Sequence, residues 1–226
     1  IKSLYNHEYE ESLHCTRRGL SAEDRLWLQM VANSISHFGH HYSISLPLAD
    51  KNVQLPNNVS IARSRLNKLK VRLERDQQFA SDYRTFMNEM IEKGIAEVVP
   101  KGSENRNDGR VWLLPHHAVY HPQKPDKIRV VFDCAAQFQG ISLNDCLLQG
   151  PDQTNTLLDV LVRFRMERIA FIADIEGMFN QVYVHEADRD FLRFLWWQDG
   201  NISNEIQQFR MKVHIFGAKS SPSVAC

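Results

Sequence analysis

The stretch IAFIADIEGMFNQVYV, residues 169–184, decides how the chain is read. An unbroken apolar run occupies 169–173, a single aspartate, Asp174, closes it, and an apolar pattern resumes after Gly177. A continuous apolar run of that length reads as a strand buried on both faces, and so as central in a sheet. A carboxylate at the end of a rigid strand is well placed to hold a divalent cation. Mg²⁺ takes near-octahedral oxygen ligands and one or two protein carboxylates beside substrate phosphates, and two-metal phosphoryl transfer uses such a carboxylate as a bridge. The competing reading is an Asx cap on the following turn, and spacing alone favours the cap.

Working outward, SAEDRLWLQMVANSISHF (21–38) has helical spacing, a capping box in Ser21 and Asp24, and a stop at Gly39. HYSISLPLADKNVQLPNN (41–58) is strand-like and then turns at Pro47 and Pro56. From 58 to 94, Leu66, Leu69, Leu73, Phe79, Tyr83, Phe86 and Met90 recur every three or four residues, giving one amphipathic helix or two in series, closed by Gly94. After Gly94 the period changes to short β-rich runs: IAEVV, VWLLPHHAVY and KIRVVFD. The connecting loop PKGSENRNDGR (100–110) is flexible by composition. Helical spacing returns in TNTLLDVLVRFRMER (154–168), with Leu157, Leu158, Leu161, Val162 and Phe164 apolar. IAFIAD, FLRFLWW and IQQFRMKV follow as strands. Helices first, then a mostly antiparallel sheet carrying a helix, make the fold class α+β.

The bulk numbers bound the answer. The 226 residues make one large domain or two small ones, and 43% hydrophobic residues suit a globular core. Lys plus Arg and Asp plus Glu each number 27, so no global field points to a polyanion or a membrane surface. Charge is local instead: Arg63, Arg65, Lys68, Lys70, Arg72 and Arg75 stand against only Glu74. This basic helix face either touches nucleic-acid phosphates or is simply solvated. Cys15, Cys134, Cys146 and Cys226 form no CxxC pair, which reads as reduced, intracellular thiols. No apolar run approaches the roughly 20 residues of a membrane helix, and no signal peptide opens the sequence. The chain starts in mid-phrase at Ile1 and stops at SSPSVAC, where a helix is starting, as expected of a piece of a longer polypeptide.

Three segments in order shift the balance on Asp174: KIRVVFDCAAQFQGISLNDCLLQGPD, FIADIEGMFNQVYV and FGAKSSPSVA, with a helix between the first two. Here the chain resembles the reverse transcriptases of Pao/BEL-type LTR retrotransposons, over nearly its whole length. LPNNVSIARSRLNKLKVRLERD and YRTFMNEMIEKGIAEVV look like the segment that precedes the fingers, and VWLLPHHAVYHPQKPDKIRVVFD looks like the fingers hairpin. The resemblance implies a truncated right-hand polymerase: 1–94 a helical segment leading into the fingers, 95–150 the fingers hairpin region, 151–226 a partial palm. It implies RNA-directed DNA polymerase activity with Mg²⁺ or Mn²⁺. The implied partners are template-primer, deoxynucleoside triphosphates and other domains of a polyprotein, in cytoplasmic virus-like particles and the nucleus.

Residue by residue, the resemblance places Asp174 as the first catalytic carboxylate, binding both metal ions with the backbone carbonyl of Ile175 as a further ligand. Phe179 matches the aromatic steric gate that excludes a 2′-hydroxyl; core packing is the plainer reading of the same ring. Arg129 matches an arginine on the incoming triphosphate, whose planar fork pairs with phosphate oxygens; a solvated hairpin arginine is its rival. Either Lys124 or Lys127 corresponds to the fingers lysine that reaches the γ-phosphate. FGAKSSP resembles the motif opening the helix under the nascent base pair, with Phe216 and Gly217 at the nucleotide and Lys219, like the basic helix face, toward nucleic acid. Asn144 and Asp145 are template or palm contacts, or only turn residues.

The sequence departs from the family in named places. Phe216 stands where retroviral enzymes have glutamine, and Gly177 where many have a second aspartate. No aromatic-x-Asp-Asp motif occurs in the 226 residues, so the isolated chain is expected to be inactive in polymerisation. The alternative is a non-catalytic retroelement remnant or nucleic-acid-binding domain. The histidines His37, His40, His41, His116, His117 and His121 invite a zinc reading, but polar loop and strand roles are favoured. Trp196 and Trp197 read as a core strand rather than a base-stacking platform.

Overall fold

Ser21 begins the first ordered element by the chemistry its sequence advertises. Its hydroxyl oxygen accepts from the Asp24 amide at 3.0 Å, and the Asp24 carboxylate accepts from the Ser21 amide at 3.1 Å. The computed structural model describes residues 19–121 and 124–226, with the side chains of 121–127 excepted; Cys15 lies outside the described residues. Helix α1 spans Ala22–Ser34. It ends earlier than Gly39 because Ile35 turns extended and the next residues pair: β1 (Ser36–Phe38) runs antiparallel to β2 (His41–Ile44). Gly39, with φ +63°, belongs to the hairpin turn between them.

The long amphipathic stretch resolves into two helices, α2 (Val59–Arg75) and α3 (Gln77–Glu92). Asp76 separates them: its side chain accepts from the Phe79 amide at 3.0 Å and caps α3. Gly94, at φ +69°, closes α3 as its position predicts. Then come β3 (Ala96–Val98), the hairpin β4 (His116–His121) and β5 (Lys124–Phe132), a single turn α4 (Leu143–Cys146), and α5 (Leu157–Phe164). The chain finishes with β6 (Val182–Val184), β7 (Arg193–Trp197), β8 (Ile206–Met211) and α6 (Ser221–Ala225).

These elements form an α+β fold. One sheet has the antiparallel order β3-β8-β7, the second the order β1-β2-β6, and β4-β5 stand as a separate ribbon. The second sheet is mixed, since β2 and β6 run parallel. The apolar faces of α2 and α3 pack with β7 in the main core, which includes Leu66, Leu73, Phe79, Tyr83, Met87, Trp196 and Trp197. Tyr83 stacks on Trp196 with centroids 5.3 Å apart. Its hydroxyl donates to Nδ1 of buried His116, whose Nε2–H donates to the Leu195 carbonyl at 2.9 Å. A carbonyl only accepts, so this pair fixes the tautomer of His116.

The loop 100–110 is pinned, contrary to its composition. Arg106 donates to Asp190 at 2.7 Å, and the fully buried Arg193 donates to Asp190 at 3.0 Å and to the Ser103 carbonyl at 3.0 Å. Burial pushes the Asp190 carboxyl up, but the hydrogen bonds and charges of Arg193 and Arg106 and the charge of Arg210 outweigh it and hold it below the usual range.

Two expectations from the sequence are corrected. Residues 169–174 form no strand, and α5 buries none of its residues. Ile169, Phe171 and Ile172 are 86%, 87% and 88% exposed. A strand exists only where a neighbour completes its ladder of backbone hydrogen bonds. Among the described residues nothing pairs with this run, and strand geometry resumes only at Val182.

Candidate functional site

The turn after Asp174 is built by Gly177, which adopts φ +56°. Its carbonyl accepts from the Asn180 amide at 2.7 Å, starting the short 3₁₀ turn Met178–Gln181 that carries Phe179. A second glycine shapes the opposite side. Gly217 has φ +107°, and a β-carbon there would stand 2.8 Å from the Phe132 carbonyl oxygen at the end of β5. Only glycine permits that approach. Asn144 on α4 fixes the same loop from both ends: its amide donates to the Gly217 carbonyl at 3.0 Å, and its oxygen accepts from the Lys219 amide at 2.9 Å. Asn144 is therefore more than a turn residue. Asp145 is the turn residue, completing a capping box with Ser142.

These constraints bring distant residues into one cleft of about 450 Å³. Phe179 and Phe216 face each other with centroids 5.8 Å apart, and the Arg129 guanidinium lies 5.8 Å from the Phe216 ring centroid. Gly177, Met178 and Phe132 also line the cleft, while Phe86, Met90 and Lys93 come from α3 and its C-cap. The cleft combines an exposed guanidinium, two aromatic faces and an apolar floor. Such a set takes a ligand with an anionic end and a flat or apolar body.

Other named residues stand elsewhere. Asp174 and Ile175 are exposed and do not line the cleft. Among the described residues, no group of three or more His, Cys, Asp or Glu is gathered where it could share a metal ion. Lys124 and Lys127 lie on β5, and their side chains fall outside the described residues. Arg63, Arg65, Lys68 and Arg72 are exposed on α2, Lys70 is half-buried, and none of them lines the cleft. Arg72 covers the Phe79 ring at 3.9 Å, so part of its length packs rather than reaching outward. Lys219 is half-buried beside Asp145, and its charge helps hold that carboxyl below the usual range after the Ser142 hydrogen bonds.

Among the histidines, His116 is fully buried and its pKa is pushed down to about 4, by burial first. His41 pairs with the Gln181 carbonyl at 3.1 Å. Trp196 and Trp197 are buried in β7 as a core strand. Sequence reasoning missed the Asn144 clamp, because an asparagine spanning 73 positions of sequence leaves no local signal. It also missed Asn58, whose side chain exchanges two hydrogen bonds with the backbone of Leu113, at 2.8 and 2.9 Å. No helix among the described residues is long and apolar enough to cross a membrane. No protein-family model matches the chain, and no curated protein matches it.

Proposed function

We propose that the chain forms the fingers and first part of the palm of an RNA-directed DNA polymerase of the Pao/BEL type, with the aromatic cleft taking the incoming deoxynucleoside triphosphate. The observation that supports this reading is the meeting of Arg129, Phe179 and Phe216 around one cleft, although they come from three separate segments. Arg129 would take phosphate oxygens through charge-assisted hydrogen bonds. Phe179 would lie under the sugar. Phe216 would pack beside it, in place of the hydrogen bond a glutamine would make. The exposed basic residues of α2, with Lys219, would meet template-primer phosphates in a salt-dependent manner. Asp174 would supply one carboxylate toward Mg²⁺ or Mn²⁺, and the other donors would come from outside the described residues.

The test is equilibrium binding of a fluorescent deoxynucleoside triphosphate to the chain. Arg129→Ala should weaken binding by about tenfold or more, the value of one or two charge-assisted hydrogen bonds. Absence of binding, or affinity indifferent to Arg129, removes the reading. A second reading, a non-catalytic nucleic-acid-binding domain of retroelement origin, is favoured by the isolated, exposed position of Asp174. It expects salt-dependent binding of template-primer without any affinity for the triphosphate.

A further inference from the structure

A second cleft, of about 630 Å³, lies on the α1 side of the molecule and shares no lining residue with the aromatic one. One wall is the face of α1 carrying Leu26, Gln29, Met30 and Asn33; the other is the extended segment 45–49 after β2. Its charged end is formed by Arg110 and Asp188. Asp188 is buried, and one carboxylate oxygen accepts from the Leu46 amide at 3.0 Å. The other stands 3.7 Å from a terminal nitrogen of Arg110, too far for a hydrogen bond. Arg110 donates through its second terminal nitrogen to the Lys51 carbonyl at 2.9 Å and rests over the Phe191 ring at 5.1 Å. Both groups are held in place by other contacts, and both keep hydrogen-bonding capacity at the cleft.

A fixed acceptor beside a planar donor fork, at the end of a cleft with a partly apolar helical wall, is complementary to the polar rim of a purine. Guanine sets two neighbouring donors, N1–H and the 2-amino group, beside two acceptors, O6 and N7. Adenine sets its single donor group between two acceptors, one of which would face the carboxylate. Pyrimidines lack the second ring that carries N7. We propose that this cleft is a guanine-base site, with Asp188 taking the N1 and 2-amino donors, Arg110 taking O6 and N7, and Leu26 and Met30 of α1 against a ring face. Lys51, also lining the cleft, offers a cation to an attached phosphate. The base arrives either as a free guanine nucleotide or as a guanine splayed from a single strand.

Calorimetric titration of the 226-residue chain tests this. The probes are guanosine, inosine and adenosine monophosphates, and a short oligouridylate carrying either guanine or hypoxanthine at one position. Guanine should bind about tenfold or more tightly than hypoxanthine, which lacks only the 2-amino group, and than adenine. Preference in the monophosphates assigns the site to free nucleotide; preference only in the strands assigns it to single-stranded nucleic acid. Asp188→Asn keeps an acceptor for the Leu46 amide, so it should fold and melt like the parent, yet the preference for guanine over hypoxanthine should disappear. The proposal is overturned by equal binding of all bases, by no binding, or by a preference that survives Asp188→Asn. It is also overturned if Arg129→Ala abolishes the preference, because that places the base in the aromatic cleft.

Discussion

Phe179 and Phe216 stand with their ring centroids 5.8 Å apart and their planes inclined at 51°, each delivered by a glycine in the left-handed region, Gly177 and Gly217. The two rings pack on each other, so the volume left for a sugar beside them depends on both. Phe179→Val removes one plate without touching Arg129. Under the proposed function, this variant should bind ribo- and deoxyribonucleoside triphosphates with similar affinity, while the parent prefers the deoxy form. Competitive titration of the two triphosphates reads the ratio directly. An unchanged preference would return Phe179 to the plainer role of core packing.

Gly217 carries a separate, energetic prediction. Alanine there meets both an unfavourable φ and the Phe132 carbonyl at 2.8 Å. Gly140 has φ +80° but open space around its missing side chain, so it isolates the conformational cost alone. Gly140→Ala should cost about 1–2 kcal/mol. Gly217→Ala should cost more, by about 1–3 kcal/mol, and should displace Phe216 enough to weaken nucleotide binding. Urea unfolding of the two variants compares them, and equal costs would mean the Gly217 loop yields freely.

Parts of this arrangement are written locally in the sequence. The Ser21–Asp24 box, the Gly94 stop after α3, and the β7 and β8 strands follow from residue types and spacing, because each is settled within a few positions, whereas spacing left open whether 58–94 is one helix or two. The run at 169–173 was not legible in the same way. Its composition says that it can be buried, but a strand is defined by its neighbour, and composition does not name one. The pinned loop 100–110 fails for a related reason: its Arg106 is ordered by Asp190, 84 positions away. For the site, the resemblance named Arg129, Phe179 and Phe216, and they do share a cleft. The Asn144 clamp behind Gly217 depends on tertiary geometry alone.

Acid should destabilise the chain in a defined window. His116 and His214 are both fully buried, and burial pushes each pKa down to about 4. In the unfolded chain a histidine titrates near 6.5. Between those values the unfolded state binds the extra protons, so stability is full above about pH 6.5 and falls as the pH drops toward 4. Each histidine contributes on the order of 2–3 kcal/mol to that fall. Urea midpoints measured from pH 7 to 4.5 should show the slope, and His116→Gln should flatten it by about half. A slope unaffected by that substitution would place the acid sensitivity in other groups.

The exposed apolar stretch yields the most consequential prediction for handling the protein. Leu157 and Leu158 on α5, and farther along the chain Ile169, Phe171 and Ile172, present large apolar side chains to water. Because these side chains bury nothing in the described fold, replacing them with charged residues should leave stability within about 0.5 kcal/mol. The same replacements should reduce self-association, since unpaired apolar strand-formers are the usual seeds of edge-to-edge aggregation. The double variant Phe171→Asp, Ile172→Asp should therefore keep the urea midpoint of the parent while lowering its apparent mass in sedimentation at high concentration. If instead the urea midpoint falls far enough to mean a loss of several kcal/mol in unfolding free energy, the run is buried in solution.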